Sequence, residues 1–156
     1  MTLRRMTLAA LVVLAIGSVA LSPSRDPETG IDPAAGLNVK RAVPAPVMST
    51  LRRACFDCHS NETRWPWYSS LPGVSWAIAR DVHAGRGQLN FSRWTEYNRF
   101  DRASMLDEVC EMVTAGKMPL RPYRLLHPEA RLSDTDVAEL CAWTRLEATH
   151  LVEGGS

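Results

Sequence analysis

Cys55-Phe56-Asp57-Cys58-His59 constrains this chain more than any other five residues in it. Two cysteines three positions apart lie on one side of a helical turn, so both sulfurs can reach the same edge of a flat group. A porphyrin edge with two vinyl groups meets that geometry: each vinyl takes one thioether, and His59 follows directly as a ligand for the iron. Cys-x-x-Cys-His is accordingly the attachment signature of a c-type haem. A bare Cys-x-x-Cys would equally suit a zinc half-site or a redox dithiol. Finger-type zinc asks for a second Cys/His pair at short spacing, whereas Cys110 and Cys141 stand 31 positions apart and His83, His127 and His150 are scattered singly. A thioredoxin-like dithiol asks for flanking strands, and no stretch alternates apolar and polar residues for long enough to form one.

The amino-terminal residues bear on compartment. Arg4 and Arg5 precede an apolar run, Met6 to Leu21, broken only by Thr7, Gly17 and Ser18. Positive charge before a short apolar stretch is the pattern of a secretory signal, and Ser18-Val19-Ala20 offers a cleavage point after Ala20. The run is slightly short for a bilayer span, which takes about 17 to 25 residues. Residues 1–21 therefore read as a signal peptide or a single membrane anchor. Residues 22–40, with Pro23, Pro27, Gly30, Pro33 and Gly36, read as a linker, 41–150 as one haem-binding domain, and 151–156 as a tail. Either reading of the leader places the domain in the periplasm or on the outer face of the cytoplasmic membrane, where bacteria perform this attachment. Loss of Arg4 and Arg5 takes the formal charge from +1 to −1, and no basic patch of the kind nucleic acid requires is present.

Along the domain the periodicity predicts helices over 47–55, 73–83 and 103–115, and a fourth beginning at Ser133. Val47, Leu51 and Ala54 share a face in the first, and Val74, Ile78 and Val82 in the second, which Gly85-Arg86-Gly87 is expected to stop. Leu106, Val109, Cys110 and Val113 form the stripe of the third, and Gly116 ends it. Ser133 with Asp136 makes a good amino-terminal cap for the fourth, whose inward face carries Val137, Leu140, Cys141 and Thr144. Residues 60–72, with Trp65-Pro66-Trp67-Tyr68, read as a loop whose rings pack into the core, a placement compatible with walling the haem edge. The expected fold is all-α: a small cytochrome c-like helical domain wrapped around one covalent haem. Cys110 and Cys141 both face inward and suit either two buried thiols or one disulfide.

After His59, one axial position of the iron remains. Met118 is the leading candidate, because Gly116 breaks the preceding helix and Pro119 biases residue 118 towards extended backbone, holding the thioether on a loop. Such a ligand favours reduced iron and raises the potential. Met105 and Met112, inside the third helix, read as core methionines. His83 and His127 are rival ligands, and an open sixth site is the remaining option. Arg64, Lys117, Arg121 and Arg124 flank the motifs as candidates to pair with haem propionates.

Several motifs in order resemble the small bacterial haem-binding domain family, which has c-type cytochrome-like character. They are Cys-x-x-Cys-His-Ser-Asn-Glu-Thr at 55–63, Trp-Pro-Trp-Tyr at 65–68, Pro-x-Val-Ser-Trp at 72–76 and Gly-Arg…Leu-Asn-Phe-Ser at 85–92. Gly-x-Met-Pro at 116–119 and Leu-His-Pro-x-Ala-x-Leu-Ser at 126–133 complete the set. The resemblance implies a haem carried on Cys55 and Cys58, with His59 as proximal ligand and Met118 at the family's Met-Pro position. One departure falls at Asp81, near which some members carry histidine.

These features point to a monohaem electron carrier with His/Met ligation, serving an unidentified redox partner protein, rather than to an enzyme. A haem-based sensor or gas-binding module, or a peroxidase-like enzyme, would instead need an open or labile sixth site.

Overall fold

The computed structural model describes residues 2–20, 32, 34–37 and 42–154. Most of the 22–40 segment read as a linker, the side chains at 18–20 around the expected cleavage point, and the last two positions of the tail lie outside the described residues. Helices and short 3-10 turns make up the regular structure, and no strand occurs among the described residues, so the domain is all-α.

Helix α1, Thr2–Ala20, exposes Met6, Leu8, Leu11 and Ile16. No helix among the described residues is long and apolar enough to cross a membrane. Residues 34–37 join the core: the Leu37 N–H donates to the Phe91 carbonyl at 3.0 Å, the Thr95 N–H donates to the Ala35 carbonyl at 3.0 Å, and the Leu37 side chain is buried. Helix α2, Ala45–Ala54, starts where Pro44 and Pro46 preset the backbone and buries Val47, Thr50, Leu51 and Ala54. It delivers the chain into α3, the single turn Phe56–His59.

The loop that follows contains a 3-10 turn, Trp67–Ser70, and corrects one expectation: Trp67 is 78% exposed rather than core. Helix α4, Val74–Gln88, overruns the expected stop at 83 and passes through Gly85 and Gly87. The reason lies at Gly85, where a Cβ would sit 2.6 Å from the Cys58 carbonyl oxygen. Gly85 here permits a close helix crossing instead of ending the helix. The buried face of α4 runs through Ser75 and Val82, leaving Val74 exposed.

A 3-10 turn, Phe91–Glu96, leads to α5, Arg99–Thr114, which begins four residues earlier than its hydrophobic stripe implies. Asn98 accounts for the early start, since its side chain accepts from the N–H groups of Phe100 and Asp101. Gly116 ends α5 with φ of 65°, a left-handed conformation that favours glycine. Helix α6, Arg121–Leu126, and a 3-10 turn, Pro128–Ala130, precede α7, Asp134–Glu153. The expected Ser133/Asp136 capping box is present. Asp136 also accepts from Arg53 at 2.5 Å and from the Thr50 hydroxyl at 3.2 Å, tying α7 to α2. Its carboxyl is held well below the usual range by the Ser133 N–H and hydroxyl first and by Arg53 after them.

Helices α5 and α7 pack together through Leu106, Cys110, Val113, Leu140 and Cys141. Cys110 and Cys141 form a disulfide across this pair, with S–S 2.04 Å and Cα–Cα 4.9 Å. Closing a loop of 31 positions restricts the unfolded chain, by about 3–4 kcal/mol in the chain-entropy account. Replacing both cysteines by serine is therefore expected to lower unfolding stability by roughly that amount. Denaturant melts of the two proteins side by side check this, and an unchanged midpoint would contradict it.

Candidate haem site

Four chain segments converge on one apolar cavity of about 320 Å³, at the lower end of the range for ligand pockets, about 300–1,000 Å³. The attachment turn contributes Ala54, Cys55, Cys58 and His59, and α4 with its following residues contributes Asp81, Ala84, Gly85, Gln88, Leu89 and Phe91. Helix α5 adds Met105, Glu108, Val109, Met112 and Val113, and the α5–α6 segment adds Met118, Pro119, Leu120 and Tyr123. The four residues singled out from sequence, Cys55, Cys58, His59 and Met118, thus open into the same space.

Cys55 and Cys58 are free thiols. Burial pushes Cys55 up to about 12, with the neighbouring Cys58 adding to it, and pushes Cys58 up to about 11, with Asp57 and Asp81 adding. A thioredoxin-like dithiol needs the opposite shift, so the redox-dithiol alternative finds no support in this environment. Among the described residues no group of three or more His, Cys, Asp or Glu side chains could hold a bare metal ion. A haem does not ask for one, because its own ring nitrogens supply four ligands and the protein adds only axial donors.

His59 is prepared for such a role. Its Nδ1 lies 3.0 Å from the Leu89 carbonyl oxygen. A carbonyl only accepts, so Nδ1 carries the proton and the Nε2 lone pair is left for a metal. Burial pushes the imidazole below its ordinary value, against the smaller opposing pull of the Leu89 and Gly85 carbonyls, which favours the neutral, ligating form.

Asp57, between the two cysteines, is buried and accepts from the Arg64 N–H at 3.1 Å, Arg64 Nε at 3.3 Å and the Tyr123 hydroxyl at 2.7 Å. Burial and the bond to Asp57 push the Tyr123 phenol well above its ordinary value, keeping it a donor. The ring of Tyr123 stacks on His127, centroids 4.3 Å apart. The attachment turn is thereby bonded to α6 and to the segment carrying Met118. Tyr123→Phe removes one hydrogen bond to a buried carboxylate and is expected to cost about 1.5–3 kcal/mol in unfolding stability. A loss under 0.5 kcal/mol, roughly the size of an ordinary surface change, would show that the bond does not hold α6 in place.

The rival histidines fall elsewhere. His83 is exposed on α4 and does not line the cavity. His127 has both ring nitrogens engaged, Nε2 with the Tyr68 hydroxyl at 2.5 Å and Nδ1 with Glu129 at 3.0 Å. Arg64, Lys117, Arg121 and Arg124 are likewise outside the lining, whose charged members are Asp81 and Glu108. None of Trp65, Trp67 and Tyr68 walls the cavity either.

Met105 and Met112, expected in the core, line the cavity, and Met105 also packs against the core. They belong to a second stripe, 105, 109 and 112, offset from the Leu106-Cys110-Val113 stripe that faces α7. Two adjoining apolar stripes on one helix are the signal that could have revealed a helix serving two neighbours. Nothing local in the sequence marks Leu89 as the partner of His59.

A family model described as a haem-binding domain matches residues 12–146. No curated protein and no solved structure matches the chain.

Proposed function

The chain belongs to the haem-binding domain family, and from that premise we propose that it is an exported monohaem electron carrier with a covalent c-type haem and His/Met axial ligation. The observation that carries this reading is the convergence of Cys55, Cys58, His59 and Met118 on one apolar cavity. In it Cys55 and Cys58 would supply the two thioethers, His59 Nε2 the proximal bond and Met118 Sδ the distal one. Bound haem would supply an iron that gains and loses one electron.

The protein's own contribution is to hold these groups still and to exclude water. Leu89 fixes the His59 ring through Nδ1–H. The Asp57–Tyr123 bond holds α6 and the segment before it against the attachment turn. Leu89, Phe91, Val109 and Val113 line the space with hydrocarbon, which limits solvent reorganisation when charge changes. With haem bound, the soft thioether of Met118 would favour the reduced state of the iron. The leader pattern at 1–21 supports a periplasmic or outer-face location.

Met118 is distinguishable from its two neighbours in the wall. Met118→Ala is expected to abolish the weak charge-transfer band of methionine-bound ferric iron, to admit carbon monoxide to the reduced protein, and to lower the potential on the order of 0.1 V, a fraction of the roughly 0.8 V that axial ligands span. Met105→Leu and Met112→Leu should leave the band in place. Its disappearance in either of those variants, with persistence in Met118→Ala, would move the ligand to α5. Rapid carbon monoxide binding by the unaltered reduced protein would favour the sensor or peroxidase-like readings.

A further inference from the structure

The segment 116–126, Gly-Lys-Met-Pro-Leu-Arg-Pro-Tyr-Arg-Leu-Leu, carries three cations and no acid. Its residues divide by face. Met118, Pro119, Leu120 and Tyr123 line the candidate haem cavity, while Lys117 and Arg121 are exposed and Leu125 and Leu126 are 68% and 61% exposed. Behind the same segment lies a second, shallower groove of about 650 Å³. Met118 and Pro119 belong to both spaces, so one thin wall separates them. Arg124 and Arg145 bring cations to the groove, Val137 and Ala138 of α7 give it an apolar side, and Asp134 is the one acid among the described residues that line it.

In a chain whose formal charge is only +1, this is a local concentration of positive charge over apolar surface, placed beside the proposed redox centre. We infer that electrons cross at the 116–126 face, and that the redox partner is a protein presenting acidic groups to Lys117, Arg121, Arg124 and Arg145 around an apolar contact. This rests on the carrier reading above. Complementary charge of this kind steers a short-lived encounter and suits a small interface that must release quickly. The exposed leucines supply the desolvated centre, and Met118 and Pro119, which border both spaces, supply a protein path from that face to the cavity.

Two small one-electron oxidants of opposite charge test the inference, ferricyanide and tris(1,10-phenanthroline)cobalt(III), each taking one electron from the reduced holoprotein. Stopped-flow rates are compared at ionic strengths of about 0.01 M and about 1 M, where charges are felt over about 30 Å and about 3 Å. Lys117→Glu with Arg121→Glu is expected to slow ferricyanide about fivefold or more at low salt, to speed the cationic reagent, and to lose both effects at high salt. The milder Lys117→Gln, Arg121→Gln pair should give a smaller change of the same sign. Arg93→Glu with Arg99→Glu makes the same change in net charge away from the 116–126 face, Arg93 in the turn before α5 and Arg99 at the first residue of that helix, about 24 Å along it from Thr114, and should leave the ferricyanide rate within twofold. Equal slowing by both charge-reversed pairs, or none by either, overturns the inference while the carrier reading stands. A wild-type protein that yields no electron to either reagent overturns both. If the 117/121 reversal instead abolishes sedimentation with phosphatidylglycerol vesicles and leaves both rates unchanged, the face is a lipid contact and the inference is wrong.

Discussion

Replacing Cys55 and Cys58 together by alanine is expected to remove all haem that survives a denaturing gel, in a host that performs cytochrome c maturation. On the proposed reading the two thioethers are the whole covalent link, since no other free cysteine opens into the cavity. Each single variant should keep one bond and some stain. The expectation does not depend on folding, because the gel reads a covalent bond after the fold is lost. Full staining of the double variant would place the attachment elsewhere.

Gly85→Ala should be nearly as damaging, although Gly85 carries no chemistry. Its new Cβ would meet the Cys58 carbonyl oxygen at 2.6 Å and the Cys58 Cβ at 3.2 Å. Both are atoms of the attachment turn, which cannot swing aside as a flexible side chain could. Helix α4 must therefore back away from α3, disturbing the His59 bond to Leu89 at the end of that helix. Overpacking of this kind costs about 1–3 kcal/mol, and haem incorporation should fall with it. Gly87 makes the contrast. A Cβ there meets nothing within 4 Å, so Gly87→Ala should be neutral or stabilising by about 0.5–1 kcal/mol through helix propensity alone. Thermal melts and haem content of the two variants check the pair. Equal stability of both would mean that the α3–α4 approach is looser than its geometry indicates.

The contrast between these glycines shows where sequence reading reaches and where it stops. Periodicity and caps act locally, so Val47, Leu51 and Ala54 on α2, the Ser133/Asp136 box, and the break at Gly116 were all legible. So was the proposed attachment motif, because Cys-x-x-Cys-His places its donors within five residues. Gly85-Arg86-Gly87 looks like a helix stop, yet α4 runs through it to Gln88. What decides the matter is a neighbour 27 positions earlier, Cys58, which no local window contains. The same limit explains the other differences. Leu89 orients His59 through its carbonyl, an atom every residue possesses. Asp57 finds Tyr123 across 66 positions. Met105 and Met112 resembled core methionines because only the placement of α5 between α7 and the cavity gives that helix two apolar faces. Trp67 resembled core by composition, and the turn that carries it points the ring outward. Of the rival ligands, His127 is engaged by Tyr68, 59 positions earlier, as well as by its near neighbour Glu129.

The intact mass of the protein, unfolded in acid after expression in a host competent for haem attachment, tests the central claim most directly. The account predicts the polypeptide mass plus one haem, retained on denaturation and lost with the Cys55→Ala, Cys58→Ala pair. A mass equal to the polypeptide alone, from protein that has passed through the maturation pathway, would contradict it.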